Sequence, residues 1–294
     1  MKILVIKHGA LGDILLSLPA MAAIRAAHPQ AHITLLTPPP YAPLLAASPC
    51  FDTILTDSRP KFWNLPGIWR LRRQLRGFDM VYDLQTSSRS SSYFSLAGRP
   101  PWSGISKGCA FPHTDPQRDH IHTRERLEGQ LAAAGIPGLP APNLAWLTRA
   151  DVSRFHLPEQ FILLVPGAAP HRPEKRWPEQ NFAELAQSLP LPCVIAGGPA
   201  EAELARAIPG LNLTGQTDFF ELAAITARAT LAIGNDTGPM HLATTLGIPS
   251  VVLFSAASDP ALTAPRYPDG GWPIILRAPN LHDLPVAQVL ASLP

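Results

Sequence analysis

Cysteine is scarce in this chain of 294 residues: Cys50, Cys109 and Cys193 are the only three, and they stand apart without metal-ligand spacing. A disulfide scaffold and a zinc ribbon are therefore excluded, and reduced thiols of a cytosolic protein are the default reading. An excess of charge of one sign is also missing. Lys and Arg number 24 against 22 Asp and Glu, for a formal net charge of +2, which is too slight for a nucleic-acid binder. Long apolar runs are absent as well. Residues 14–24 are interrupted by Ser17 and Pro19 and fall short of the roughly 20 residues that cross a bilayer. The apolar start at residues 3–6 is too short for a signal peptide and reads as a first strand. No solenoid-type period appears.

Proline, by contrast, is abundant, with 34 residues. Many fall between apolar segments, which implies stiff loops rather than disorder. Residues 3–7, 32–37, 52–56 and 80–84 are strand-like, with helical stretches between them. In the first such stretch Ile14, Leu15, Leu18, Met21 and Ile24 follow helical spacing, and Pro19 is expected in an early turn or as a bend. Residues 135–160 are proline-rich and irregular, which marks a domain boundary. Phe161-Ile-Leu-Leu-Val165 restarts a buried strand; runs at 192–196, 211–215, 230–234 and 250–254 follow, and residues 284–293 close the chain as a helix. This alternation predicts two consecutive doubly wound α/β domains, residues 1–148 and 149–294, facing each other across a cleft. The closing helix is a candidate to pack back on the first domain.

The stretch Gly234-Asn-Asp-Thr-Gly-Pro-Met-His-Leu-Ala243 draws most attention. A strand precedes it and a short helix, stopped by Gly247 and Pro249, follows. Asp236 and Thr237 are capping residues, Gly238 allows close backbone approach, and Pro239 suits the first helical turn. A helix N-terminus after such a turn suits a phosphate. For the turn alone an ordinary strand-to-helix connection is the better reading; His241, beside a hydroxyl and a carboxylate, tips it toward a binding site.

Other candidates stand at strand ends, where ligands of open α/β sheets bind. Asp13 follows the weak Gly9-x-x-Gly12 loop, and locally it reads first as a helix cap. The loop at 166–178 carries Arg172, Lys175 and Arg176, placed for phosphate or simply solvated. Gly197-Gly198-Pro-x-Glu201 puts a carboxylate where it meets a ribose or favours a helix N-terminus. Residues 59–76 hold Arg59, Lys61, Arg70, Arg72, Arg73 and Arg76 with Phe62, Trp63 and Trp69, and no acid. This cluster fits an anionic membrane surface or substrate; the alternative is a solvated helix face with Leu and Trp turned inward. A second basic cluster at 118–126, with His120 and His122, opens a helix reaching 134, and the i, i+2 histidines do not make a metal pair.

With these loops together, the chain resembles the ADP-heptose:lipopolysaccharide heptosyltransferase family, glycosyltransferase family 9, of GT-B fold. The resemblance spans nearly the whole chain. It rests on Lys2-Ile-Leu-Val-Ile…Gly12-Asp13-Ile-Leu…Leu18-Pro19, Pro166-Gly167…Lys175-Arg-Trp-Pro178, Gly197-Gly-Pro-x-Glu201 and, most specifically, residues 234–243. The chain departs from the family pattern at His8-Gly9 and at residues 255–260.

The resemblance implies an α/β GT-B protein of two Rossmann-like domains around a central cleft, acceptor in the first and nucleotide sugar in the second. It implies Asp13 as general base; Lys175 and Arg176 with Asp236, Thr237, Gly238, Pro239 and His241 for the donor diphosphate; and Gly197, Gly198 and Glu201 for the nucleotide. Gly12, Arg59, Lys61, Arg124 and Arg126 are the acceptor candidates. No cofactor or metal is expected, and the chain has no Asp-x-Asp pair of the kind that holds one on a nucleotide sugar. The expected activity is inverting, metal-independent transfer of a sugar, in the first place heptose from ADP-heptose, to a lipopolysaccharide-core acceptor. The expected partners are an anionic lipid-linked saccharide and the cytoplasmic face of the inner membrane, with no nucleic acid. A nucleotide-sugar epimerase or hydrolase of this fold, and a non-catalytic nucleotide-sugar binding module, are the alternatives.

Overall fold

The computed structural model describes every residue except Phe62 and Pro170, so the expectations placed on those two lie outside the described residues. The chain forms two compact units, Met1–Trp146 and Leu147–Pro294.

In the first unit β1 (Lys2–Ile6), β2 (His32–Thr37), β3 (Thr53–Thr56), β4 (Met80–Asp83), β5 (Trp102–Gly104) and β6 (Phe111–Pro112) make one parallel sheet, ordered β3-β2-β1-β4-β5-β6. Its helices are α1 (Leu11–Ala27), α2 (Ala42–Ala46), α3 (Leu65–Leu75), α4 (Ser88–Ala97) and α5 (Thr123–Ala133). In the second unit β7 (Ile162–Val165), β8 (Cys193–Ile195), β9 (Leu211–Asn212), β10 (Leu231–Asn235), β11 (Ser250–Phe254) and β12 (Ile274–Arg277) are ordered β12-β11-β10-β7-β8-β9, again parallel. The helices there are α6 (Glu179–Ser188), α7 (Ala202–Ala205), α8 (Phe219–Thr226), α9 (Gly238–Thr245), α10 (Pro260–Thr263) and α11 (Val286–Ala291). Counted from its own first strand, each unit winds identically. The strand order reverses between β1 and β4 in one and between β7 and β10 in the other, which opens a crevice at the strand ends.

The apolar runs form strands because both sheet faces are covered. Alternation does the sorting: Ile162 and Leu164 join a core with Trp177, Phe182 and Val289, whereas Phe161, Leu163 and Val165 join one with Ile225, Met240 and Ala243. The closing helix α11 packs on α6 within the second unit.

Three local expectations need correction. Of the two placements expected for Pro19 the early turn fails: it sits midway along α1, which continues past it to Ala27. The helix is buried there from Ile14 to Met21, and that packing offsets the roughly 3 kcal/mol that an interior proline costs. The helix expected to open at residue 118 starts at Thr123, because the His122 ring caps it, Nδ1 accepting from the backbone N–H of Arg124. Trp63 and Trp69 face solvent, 63 % and 61 % exposed, so the inward-turned alternative fails for these two tryptophans.

Candidate active site

The second unit builds its site at the ends of β7 and β10. Gly234 is required where these strands meet, since a Cβ would lie 2.6 Å from Val165. Asn235, fully buried, closes the edge: its amide donates to the carbonyls of Pro166 and Gly167, and its Oδ1 accepts from Trp177 N at 3.0 Å. This fixes the chain on either side of Lys175. The next residue, Asp236, receives Lys175 Nζ at 2.6 Å and Ser258 Oγ at 2.8 Å, with His241 Nε2 at 3.5 Å. Burial pushes the Asp236 carboxyl up, but the hydrogen bonds and charges of His241 and Lys175 outweigh it and bring the pKa to about 2. The carboxylate is thus ionised and fully engaged, and it gathers an ammonium, an imidazole and a hydroxyl in one place.

Helix α9 starts immediately after. Thr237 is its N-cap, yet its hydroxyl donates back to Asn235 O and leaves the cap open. Among the described residues, the N–H groups of Thr237 and Gly238 find no protein acceptor. Pro239, in the first turn, has no N–H to satisfy. His241 Nδ1 is likewise buried without a partner. Open N–H groups, a helix dipole and Lys175 are donors of the kind that suits an anion. Arg176 is tied to Ala168 O, and Arg172 to Glu174 and Ala257 O. Glu201 lies across Gly167 and Gly198; a Cβ on Gly167 would meet Glu201 Cγ at 2.6 Å. The sequence candidates Lys175, Asp236, Thr237, Gly238, Pro239 and His241 therefore converge, and Glu201 with Gly197 and Gly198 forms a neighbouring group over Gly167.

In the first unit Asp13 stands half-buried in the first turn of α1, with Oδ2 accepting from Ala10 N at 3.0 Å. It does cap the helix, and one carboxylate oxygen remains for other work. The loop before it is held from the ends of two other strands, β4 and β3. Gln85 Oε1, after β4, accepts from His8 N and Gly9 N at 2.9 and 3.0 Å. Lys7 Nζ donates to Leu84 O. His8 Nε2 lies 2.9 Å from Asp57 Oδ2, after β3, and Tyr93 donates its hydroxyl to the same oxygen at 2.6 Å. Gly9 is needed here, with φ +29° and its missing Cβ 3.0 Å from Asp13 Cβ. Burial lowers the Lys7 pKa although Asp13 and Asp83 raise it.

The acceptor candidates divide. Arg126 stands near Asp119 at 3.8 Å, and Arg118 binds both Asp119 and Thr86 Oγ1, so these two guanidiniums meet at the end of β4. Arg124 turns away, half-buried, to Leu139 O. Arg59 is tied by its backbone to Asp57 and Lys61 stands over the Trp63 ring. Sequence reading missed Asn235, Ser258, His8, Asp57 and Arg118. A buried Asn ending an apolar strand was a usable signal for the first; the others depend on partners distant in the chain. Among the described residues, no group of three or more His, Cys, Asp or Glu stands ready to hold a metal.

A strand edge lined with donors suited to an anion, and a carboxylate at a helix mouth in a second unit of the same winding, are the parts that sugar transfer from a nucleotide carrier needs. The fold and these parts together define a GT-B glycosyltransferase. The chain belongs to glycosyltransferase family 9 (heptosyltransferase), whose family model matches residues 68–269. It is 24% identical to the lipopolysaccharide core heptosyltransferase OpsX of Haemophilus influenzae, over 89% of this chain and 80% of that protein. Its fold matches ADP-heptose lps heptosyltransferase II of E. coli with a TM-score of 0.76 at 24% identity, covering 99% of this chain and 97% of the other. E. coli heptosyltransferase WaaC, solved with ADP-2-deoxy-2-fluoro heptose, matches with a TM-score of 0.74 at 20% identity, covering 99% and 98%.

Proposed function

We propose that this enzyme moves heptose from ADP-heptose to an anionic, lipid-linked saccharide of lipopolysaccharide-core type, by inverting displacement without a metal. The observation that carries the reading is the Lys175–Asp236–His241 group beside the open N-terminus of α9, a diphosphate seat of this family's kind. The donor assignment draws support from the heptose nucleotide analogue bound to WaaC, and the acceptor from the name of the Haemophilus relative.

In this reading the second unit takes the donor and the first the acceptor. The acceptor hydroxyl attacks the anomeric carbon opposite the diphosphate, its proton passing to Asp13 as the new C–O bond forms. The bond to the diphosphate breaks and ADP leaves with the electron pair. Charge growing on the diphosphate meets Lys175 and the free N–H groups of Thr237 and Gly238, donors that are in place before reaction. Asp236 holds Lys175 and His241. Arg176 adds positive charge at the rim, and Glu201 takes ribose hydroxyls across Gly197 and Gly198. Gly12 gives room at the Asp13 helix mouth, while Arg59, Lys61 and Arg126 meet acceptor charge; Arg124, turned to Leu139 O, is left out. An acceptor held in the membrane puts the enzyme at the cytoplasmic face of the inner membrane. No helix of the described residues is long and apolar enough to cross it.

The test is Asp13→Asn with a panel of ADP, UDP, GDP and dTDP sugars. Donor binding should persist, with ADP-heptose preferred, while the transfer rate falls by about 10²- to 10⁴-fold. Transfer retained by the variant would remove Asp13 from this role. Nucleotide release without acceptor would favour a hydrolase or epimerase, and transfer that stops with a chelator would overturn the metal-free mechanism.

A further inference from the structure

Residues 58–78 contain six cations and no Asp or Glu. The flanking acids are turned elsewhere, Asp57 to His8 and Tyr93, Asp79 to Lys2 N. Helix α3 carries most of this charge and is anchored from one side only. Leu71 and Leu75 are buried with Leu4, Ile6, Leu36 and Val81. At about 3.6 residues per turn, Leu65, Trp69, Arg72 and Arg73 share an arc facing away from those leucines. Leu65 is 72 % exposed and Trp69 61 %. Trp63 is exposed just before the helix, and Arg76 just after it. Arg73 lies 4.8 Å from the Trp69 ring centroid and Lys61 5.2 Å from that of Trp63, so cations stack on the aromatics rather than pair with acids. Three of the six exposed large hydrophobic residues among those described fall in this one short segment. A cluster of this kind is not the scatter expected of an ordinary surface.

We propose that α3 and the turn before it dock on an anionic lipid bilayer, Trp63, Leu65 and Trp69 entering the headgroup zone while Arg72, Arg73 and Arg76 meet lipid phosphates. Charge complementarity selects this occupant. Uncompensated Arg beside Trp and Leu on a solvent-facing helix is the composition of interfacial helices. Tryptophan favours the membrane interface, where its apolar body and N–H are both accommodated. The buried Leu71–Leu75 stripe keeps the helix folded before it meets lipid, so little ordering cost is added on docking. The bilayer proposal stands on this surface alone, and only the activity arm of its test rests on the transferase reading.

The experiment is cosedimentation of the full chain with phosphatidylcholine vesicles, with and without phosphatidylglycerol. Wild type should bind only the mixed vesicles and be released by salt. Each cation removed should weaken partitioning about fivefold, so Arg72→Gln/Arg73→Gln loses about 25-fold, and Arg72→Glu/Arg73→Glu more. Trp69→Ala should weaken binding several-fold even at low salt. The glutamine pair keeps the test open if charge reversal disturbs folding. Transfer to a lipid-free saccharide acceptor should be unchanged in Arg72→Gln/Arg73→Gln. Wild type that ignores anionic vesicles, equal binding to neutral vesicles, or variants binding like wild type would overturn the proposal. Retention on an acidic polypeptide resin with none on vesicles would give the surface to a protein partner. Loss of soluble-acceptor transfer in the glutamine pair would give it to the saccharide.

Discussion

Lys175 and Asp236 show how one residue's chemistry depends on another far along the chain. The ammonium that the proposed function sets against the diphosphate is aimed by a carboxylate 61 positions away, itself steadied by Ser258. Replacing Lys175 by Ala should weaken donor binding and also cut the rate, on the order of 10²- to 10³-fold, because the lost charge acts most on the departing diphosphate. Isothermal titration with ADP and single-turnover rates separate the two effects, and unchanged values in both would make Lys175 a surface cation. Asp236→Asn keeps the shape but frees Lys175 and His241, so the rate should fall more than ADP affinity. In the first unit His8→Ala leaves Asp57 buried with only Tyr93 and Arg59 N as donors. The loop carrying Asp13 should loosen, lowering the rate several-fold while donor binding stays the same; an unchanged rate would confine His8 to packing. Much of the candidate donor site is legible in sequence because it is local: Thr237, Gly238, Pro239 and His241 lie on one turn and early helix. Ser258 and the His8–Asp57 pair are not, since nothing in a linear pattern tells which distant side chains will meet at a strand edge.

Elements follow the same division. The long buried strands β1, β7, β10 and β11 are apolar runs and could be read directly. Strands β5 and β6 have three and two residues, too short for any periodicity, and are formed by pairing with a neighbour already in place; of the run at 211–215 only Leu211 and Asn212 form β9. Strand β12 has partly exposed sides and follows a proline-rich segment, which hid it. An early-turn place for Pro19 and an early start for α5 both fail because burial and a histidine cap override local preference. The loop after β7 illustrates an element whose glycine serves its neighbour. Gly167→Ala would press a methyl group against Glu201 Cγ, now 2.6 Å from where Cβ would stand. Glu201 must then move off Gly167, and donor KM should rise about tenfold or more, as losing a charge-assisted hydrogen bond implies, with the rate at saturation little changed. A variant with wild-type KM would show that Glu201 does not hold the nucleotide.

At the scale of the whole molecule, the two units carry carboxylates that respond to acid in opposite senses. Asp83, at the end of β4, is fully buried; its Oδ1 accepts from Gln85 N and Thr86 N, and its Oδ2 has no partner. Burial raises its pKa to about 6, against the lowering effect of the Thr86, Ser90 and Gln85 hydrogen bonds. Between about pH 4 and 6 the folded chain therefore holds a proton that the unfolded chain has released. Stability must fall as pH rises through that window, by about 3 kcal/mol for a shift of about two units. Asp236 in the second unit has the reverse sign. Its pKa is depressed to about 2, so its contribution is present above about pH 4 and fades only as pH drops toward 2. The two windows do not overlap, which lets one substitution be read alone. Asp83→Asn keeps an acceptor for Gln85 N and Thr86 N but cannot ionise. Urea unfolding at pH 4.0 and 7.0, a comparison chosen to bracket the window, should show stability dropping in wild type and nearly level in the variant, with a difference on the order of 2–3 kcal/mol. An equal pH slope in both proteins would mean that Asp83 reaches solvent or a cation when ionised, and that the orphaned Oδ2 is not the source of the descent.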